Sequence, residues 1–488
     1  MSETLDVLIV GAGLSGIGMA CHLQRRAPWA RFAILEARGA IGGTWDLFRY
    51  PGVRSDSDMH TLGFAFAPWT EAKAIADGPA ILRYLHRTAA DHGVDRHIRF
   101  DTKVVAAAWD SAAALWTVEA LRGGAPVRLK ARFLALCAGY YRYDRGHVPE
   151  FPGLQDFAGR VVQPQFWPDD LDYAGKRVLV IGSGATAVTI VPEMAKTADV
   201  TMLQRSPTYM VARPSRDALA IALRKRLPAR LAYGLTRLRN VAQSMYYYRM
   251  FRKYPQKAKQ RLLGLAQAEM GGRADIADFT PRYAPWDQRL CLVPDADFFH
   301  AVRDGRAHVV TDAIERFTPS GVRTASGRVL EADIVVVATG LEVNFLGDVA
   351  FTVDGARLDF AKTHVYKGCM YEGVPNLVSV FGYTNSSWTL KADLIAGYAC
   401  RLLNFMRGRG LVAATPPRAP HEAALPFMDL TSGYVQRAVA MLPKQGGKAP
   451  WKVYQNYLKD VRLLRFGRVD DGVLQFARAG AAQGVAAE

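Results

Sequence analysis

The chain has 488 residues, half of them hydrophobic and 22% charged, with a formal net charge of +17. That is an ordinary soluble composition, long enough for large cores and two or three domains. Cys21, Cys137, Cys291, Cys369 and Cys400 form no Cys-x-x-Cys pair and no His/Cys cluster at zinc-ligand spacing, which excludes a dithiol redox centre and a structural metal and fits a reducing cytoplasm.

Met1 to Asp6 lacks the cationic and apolar stretches of a signal peptide, and no apolar run of about eighteen residues could span a bilayer. The short run of β-formers at 7–10 leads directly into Gly11-Ala12-Gly13-Leu14-Ser15-Gly16. In such a turn the first glycine makes the bend, the second lets backbone N–H groups approach a pyrophosphate, and the third position needs a small residue for helix packing. The second strand of the unit, 31–36, closes on Glu36, whose carboxylate suits a bare ribose 2′-OH. A long loop containing Gly and Asp follows, and hydrophobic strands return through 133–139 to a Tyr-, Gly- and Pro-rich connection at 140–152.

A second unit repeats the pattern. Residues 178–181 precede Gly182-Ser183-Gly184-Ala185-Thr186-Ala187, and the next strand closes on Arg205-Ser206, which suits a 2′-phosphate that a carboxylate would repel. Either motif alone is a weak signal; two in one chain with opposite closing charges indicate two different dinucleotides, FAD at the first and NADPH at the second.

The segment 213–261 carries fourteen Lys or Arg against the single acid Asp217, so it holds most of the net charge. Leu, Ala, Met and Tyr alternate with these cations at a helical period broken at Pro228 and Pro255, which predicts an inserted basic helical subdomain at 213–280. Two roles remain open for it: a solvated face beside a polyanionic cofactor, or peripheral docking on anionic lipid through a face that includes Tyr246, Tyr247, Tyr248 and Phe251. No base-reading module accompanies the charge, which argues against nucleic acid. The strand at 333–340 ends in Ala338-Thr339-Gly340, where the chain leaves the second unit; 376–382 forms a further strand, a helix starts after Thr384, and the Ala- and Gly-rich tail from Arg478 frays. The expected fold is α/β, with two Rossmann-like dinucleotide-binding domains: FAD at 1–145 and 342–488, NADPH at 155–341.

Gly42-Gly43-Thr44-Trp45, continuing through Tyr50-Pro51-Gly52 to Asp56, and Phe157-Ala158-Gly159 through Gln163 to Trp167-Pro168 resemble two patterns of the Baeyer-Villiger monooxygenases. Gln163 stands where that family has His. Residues 48–58, 286–290 and 382–391 resemble the ethionamide-activating branch. The resemblance implies FAD reduced by NADPH, capture of O2 as a flavin C4a-peroxide, and transfer of one oxygen atom to a ketone, with sulfoxidation of thioethers or thioamides as a second activity. It places Arg289 as the active-site cation and Asp56 as its partner. It also sets Thr44, Trp45 and Asn385 against the flavin, and Gln288 where many relatives carry a Lys on the 2′-phosphate. Gly43, Ser183, Thr339 and the remaining glycines complete the cofactor set. An Arg keeps its charge at any working pH, and an adjacent carboxylate orients it without taking its proton. Other readings are an N- or S-oxygenating flavin monooxygenase and, in another class, a non-oxygenating flavin redox sensor docked at membranes. A disulfide reductase would need the cysteine pair that the sequence lacks. Substrate identity and oligomeric state stay open.

Overall fold

A computed structural model describes residues 4–480. Its largest sheet has nine strands. At its centre Thr4–Val10 lies parallel between Phe32–Leu35 and the end of the long strand Ala125–Leu136. The beginning of that long strand instead pairs antiparallel with Leu115–Arg122, which continues the sheet to Thr102–Asp110. Leu377–Ser379 returns from far along the chain to run parallel to Ala125–Leu136. Alternation along the second half of Thr4–Val10 sends Val7 and Ile9 into one core and Leu8 and Val10 into another, so both faces of the sheet are covered.

The second sheet is wholly parallel, in the order Ala307–Thr311, Asp199–Gln204, Arg177–Ile181, Ile334–Val337, Arg160–Val162. Val178 and Val180 face one core, Leu179 and Ile181 the other. The antiparallel strands Ile314–Thr318, Gly321–Thr324 and Val329–Glu331 form a separate small sheet, and Phe317 and Val322 cover the second of these cores.

The two glycine turns occupy equivalent places. Gly11 has φ +100°, and a Cβ there would lie 2.7 Å from the Cys137 carbonyl; Gly182 has φ +131°, and a Cβ would lie 2.3 Å from the Ala338 carbonyl. In each case the turn crosses the end of a neighbouring parallel strand so closely that only glycine fits. The helices that follow, Leu14–Arg26 and Ala185–Met194, carry Gly16 and Ala187 as the small residues of their first turns.

The chain crosses between the two sheets twice, and the crossings are fastened together. Tyr141 bridges Val343 antiparallel, the Arg142 N–H donates to the Glu342 carbonyl, and the Asn344 N–H donates to the Tyr140 carbonyl. Arg142 adds an ion pair to Asp348 at 2.6 Å.

The basic insert forms the helices Ala218–Arg226, Ala229–Lys253 and Pro255–Met270. The breaks fall at Pro228 and Pro255, as the periodicity predicts, because proline lacks the N–H of a helix interior and is tolerated at a helix start. No helix among the described residues is long and apolar enough to cross a membrane. The late helix is Trp388–Gly408, with Ser387 at its N-cap, so it begins later than Thr384. The start of the predicted frayed tail pairs instead: Gln475–Arg478 is a strand against Leu411–Thr415, and residues 481–488 lie outside the described residues.

Candidate active site

A cavity of about 460 Å³ opens at the carboxyl ends of the first sheet's parallel strands and extends to the second sheet. At one end the Gly11 turn and Glu36 line it. Glu36 is buried and accepts from the Ala12 N–H at 2.7 Å and the Arg38 N–H at 2.9 Å. Burial pushes its carboxyl above the ordinary glutamate value, and these two N–H groups with the Arg38 guanidinium work in the opposite direction. Gly13 faces Gly43, where an added Cβ would come within 3.5 Å of the Gly43 Cα, so two glycine backbones form a cleft without side chains.

Thr44 and Trp45 continue the lining, and Thr44 shares a hydrogen bond of 3.2 Å with the Tyr143 phenol. Farther along, the Arg289 guanidinium meets the Asp56 carboxylate at 2.9 Å. Burial pulls the Arg289 pKa down, but Asp56 and the phenols Tyr140, Tyr434 and Tyr141 outweigh it, and the net shift is upward. Burial also pushes all three phenols above their usual value, so they remain protonated donors around a fixed cation. Arg289 follows Trp286, a non-glycine residue held at φ 72° with its indole N–H buried and unpartnered. Strain of this kind persists only where the surroundings over-determine it, here at the entrance to the Asp287-Gln288-Arg289 turn.

The second glycine turn reaches the same cavity through Thr186, which stands beside the buried Tyr50 phenol. Gly52, at φ +74°, packs against the Ala185–Met194 helix, with an added Cβ 3.0 Å from the Thr189 carbonyl. The remaining second-unit residues gather at the ends of Arg177–Ile181 and Asp199–Gln204. The Ser183 hydroxyl donates to the Ser206 carbonyl at 2.8 Å, a Cβ on Gly184 would meet open space, and Arg205 is exposed. Gln288 makes no side-chain hydrogen bond among the described residues. Thr339 and Asn385 are directed elsewhere: the Thr339 hydroxyl donates to the His147 carbonyl in the connection between sheets, and the Asn385 amide donates to the Gln455 carbonyl.

A model of the flavin-binding monooxygenase-like family matches residues 73–267, and one of the NAD(P)-binding Rossmann-like domain matches 9–77. The chain is 51% identical to the FAD-containing monooxygenase EthA of Mycobacterium tuberculosis over 99% of its own length and all of that protein's. It is 49% identical to EthA of Mycolicibacterium smegmatis over 99% of both. The chain belongs to the flavin-binding monooxygenase family. Among solved structures, steroid monooxygenase bound to NADP superposes with a TM-score of 0.72 at 21% identity, covering 98% of this chain and all of that one. Cyclohexanone monooxygenase from Rhodococcus sp. Phi1 bound to NADP+ gives 0.74 at 18% identity, with 98% and 100% coverage. Both share the two-domain fold. Membership in the flavin-binding monooxygenase family makes this an FAD-dependent oxidoreductase that uses NADP.

The flavin-binding monooxygenase site contains groups that sequence motifs do not reveal. The Trp388 indole donates to the Ser15 hydroxyl at 2.8 Å and stacks on Tyr140 with ring centroids 5.2 Å apart. Arg38 pairs with Asp46 at 2.5 Å and lies over the Tyr143 ring. Arg54 forms an ion pair with Asp297 across the two sheets. Arg38 and Tyr143 belong to no quoted motif, whereas Ser15, Arg54 and Trp388 lie in quoted segments whose patterns do not show these contacts. The glycine cleft and the backbone-anchored Glu36 beside it fit an FAD pyrophosphate and ribose.

Proposed function

We propose that this monooxygenase inserts one atom of O2 into ketones, giving esters or lactones, and oxygenates thioethers or thioamides as a second activity. The observation that carries the reading is the Arg289–Asp56 ion pair in a cavity continuous with the glycine cleft. Bound FAD, reduced by NADPH, supplies the activation of O2. Arg289 holds a permanent positive charge where the oxyanion of an attacked carbonyl develops, and a pre-oriented cation costs little reorganisation during reaction. Asp56 fixes the direction of the guanidinium. Tyr140, Tyr141 and Tyr434, kept neutral by burial, can donate hydrogen bonds but cannot neutralise that cation.

In this reading residues 1–145 and 342–488 form the FAD domain and 155–341 the NADPH domain. Glu36 binds the FAD ribose, and Arg205 with Ser206 binds the 2′-phosphate of NADPH. The test is product analysis with NADPH, O2 and either a cyclic ketone or a thioether. The lactone and the sulfoxide are expected. NADPH consumption that yields hydrogen peroxide and no oxygenated product from either compound would overturn the reading.

A further inference from the structure

The helix Ala229–Lys253 has its polarity reversed. Its inner side carries polar groups: the Tyr233 hydroxyl donates to the Phe64 carbonyl, and buried Arg237 donates to the carbonyls of His60 at 2.9 Å and Gly63 at 2.7 Å. These bonds satisfy the ends of a loop in the first domain and hold the helix against it. The outer side carries the large apolar groups: Leu231 is 51% exposed, Leu235 42%, Leu238 64% and Tyr246 60%. Their spacing places them in one stripe along the helix, with exposed Ala242 between Leu238 and Tyr246. On the preceding helix, Leu219 is exposed as well.

Cations border this stripe. Lys225, Arg226 and Arg230 are exposed at its start, and Arg249, Arg252 and Lys253 at its end, where Arg252 pairs with Asp287. The one acid of the segment, Asp217, is already paired with Arg239 and caps the Ala218–Arg226 helix. An exposed leucine ridge bordered by net positive charge matches a surface that is apolar a few ångströms down and negative at its top. Two copies of the same face would bring like charges together, which disfavours self-association, and a leucine ridge offers nothing to a nucleic-acid phosphate backbone.

We propose that the outer face of the Ala229–Lys253 helix docks peripherally on an anionic lipid bilayer, with Leu231, Leu235 and Leu238 entering the headgroup boundary and Lys225, Arg226 and Arg230 meeting lipid phosphates. The proposal does not depend on which substrate the enzyme oxidises. The experiment is co-sedimentation of the FAD-loaded enzyme with vesicles of phosphatidylcholine alone or of phosphatidylcholine with an equal share of phosphatidylglycerol. Binding to the mixed vesicles is expected to be at least about tenfold tighter than to the neutral ones and to weaken with added salt. The triple variant Leu231→Gln, Leu235→Gln, Leu238→Gln should lose about tenfold or more in vesicle affinity. Its NADPH oxidation rate should be unchanged, since none of the three residues lines the cavity. Replacing Lys225, Arg226 and Arg230 by Glu should remove the preference for anionic vesicles. Absence of binding to anionic vesicles at low salt would overturn the proposal, as would unchanged binding by the leucine variant. It would also fail if sedimentation velocity found a dimer of the unmodified enzyme that the leucine variant dissociates while neither binds vesicles; the ridge would then be an interface between copies.

Discussion

Arg289 and Asp56, 233 positions apart in the chain, stand 2.9 Å from each other in the cavity between the two sheets. Asp56 belongs to the loop that follows the first nucleotide-binding unit, and Arg289 to the turn that follows the basic insert. The pair therefore exists only when the two sheets are correctly assembled, and it ties the charge proposed to act in the reaction to their arrangement.

Replacing Arg289 by Ala should lower the rate of oxygenated product formation by about 10²–10³, the usual effect of removing a group that stabilises a developing oxyanion. FAD content should stay near that of the unmodified enzyme, and Asp56→Ala should give a smaller loss, because the cation remains but is no longer oriented. Product yield per NADPH consumed is the measurement. A fully active Arg289→Ala enzyme would remove Arg289 from the mechanism.

Arg205→Ala should raise the KM for NADPH tenfold or more, corresponding to loss of a charge-assisted contact of about 1.5–3 kcal/mol, and should leave the KM for NADH nearly unchanged. Steady-state kinetics with the two coenzymes decides this; an unaltered preference between them would assign the phosphate to another group.

Glu36 gives a pH prediction. Burial raises its folded-state pKa, so on acidification it takes up its proton at a higher pH than an ordinary glutamate. The ionised carboxylate accepts hydrogen bonds from ribose hydroxyls more strongly than the neutral acid does. FAD affinity should therefore be complete well above the raised value and decline as the pH falls through it. Glu36→Gln should bind FAD more weakly at neutral pH and show a flatter profile, measured by the Kd of FAD for the apoprotein at a series of pH values.

Behind the site, Lys391 pairs with Asp460 at 2.7 Å, and the Tyr383 hydroxyl donates to the same carboxylate, all three groups being buried. Burial raises the Asp460 pKa against the pull of Lys391. Lys391→Met strands a buried acid and should cost about 3–5 kcal/mol, read as a fall in Tm, whereas the double change with Asp460→Leu should recover much of it.

Gln163 lies against the chain crossing, close enough that a Cβ on Gly146 would come within 2.8 Å of its side-chain oxygen. It keeps a hydrogen-bonding amide but carries no charge. Gln163→His should change the coupling of NADPH use to product by a modest factor, measured as product per NADPH; a switch from inactive to active would show that the residue takes part in proton transfer.

The parts of this fold legible in the sequence are those in which a local pattern has one physical cause. The Gly11 and Gly182 turns, their closing residues Glu36 and Arg205, and the helix breaks at Pro228 and Pro255 all belong to that class. The contacts of Trp388 and the roles of Tyr143 and Arg38 were not legible, because they depend on which distant segments the sheets bring together. Thr339 and Asn385 look like cofactor ligands from their motifs, yet both donate to nearby backbone carbonyls that no motif reveals. The Ala229–Lys253 helix is instructive in another way. Its interleaved leucines and arginines are visible in the sequence, but periodicity cannot tell which stripe turns inward, and here backbone carbonyls of the neighbouring domain select Arg237. Tyr248, expected on the outer face, instead packs edge-on against Trp286.

The two chain crossings, joined through Tyr141 and Val343, form one paired linker rather than two separate strands. The two parts are also tied by the Arg54–Asp297 ion pair and by Arg237 to the His60 and Gly63 carbonyls, so linker and contacts together hold the two sheets in one arrangement. Severing the Arg142 ties would loosen that arrangement at the linker while leaving each glycine turn and its closing residue intact.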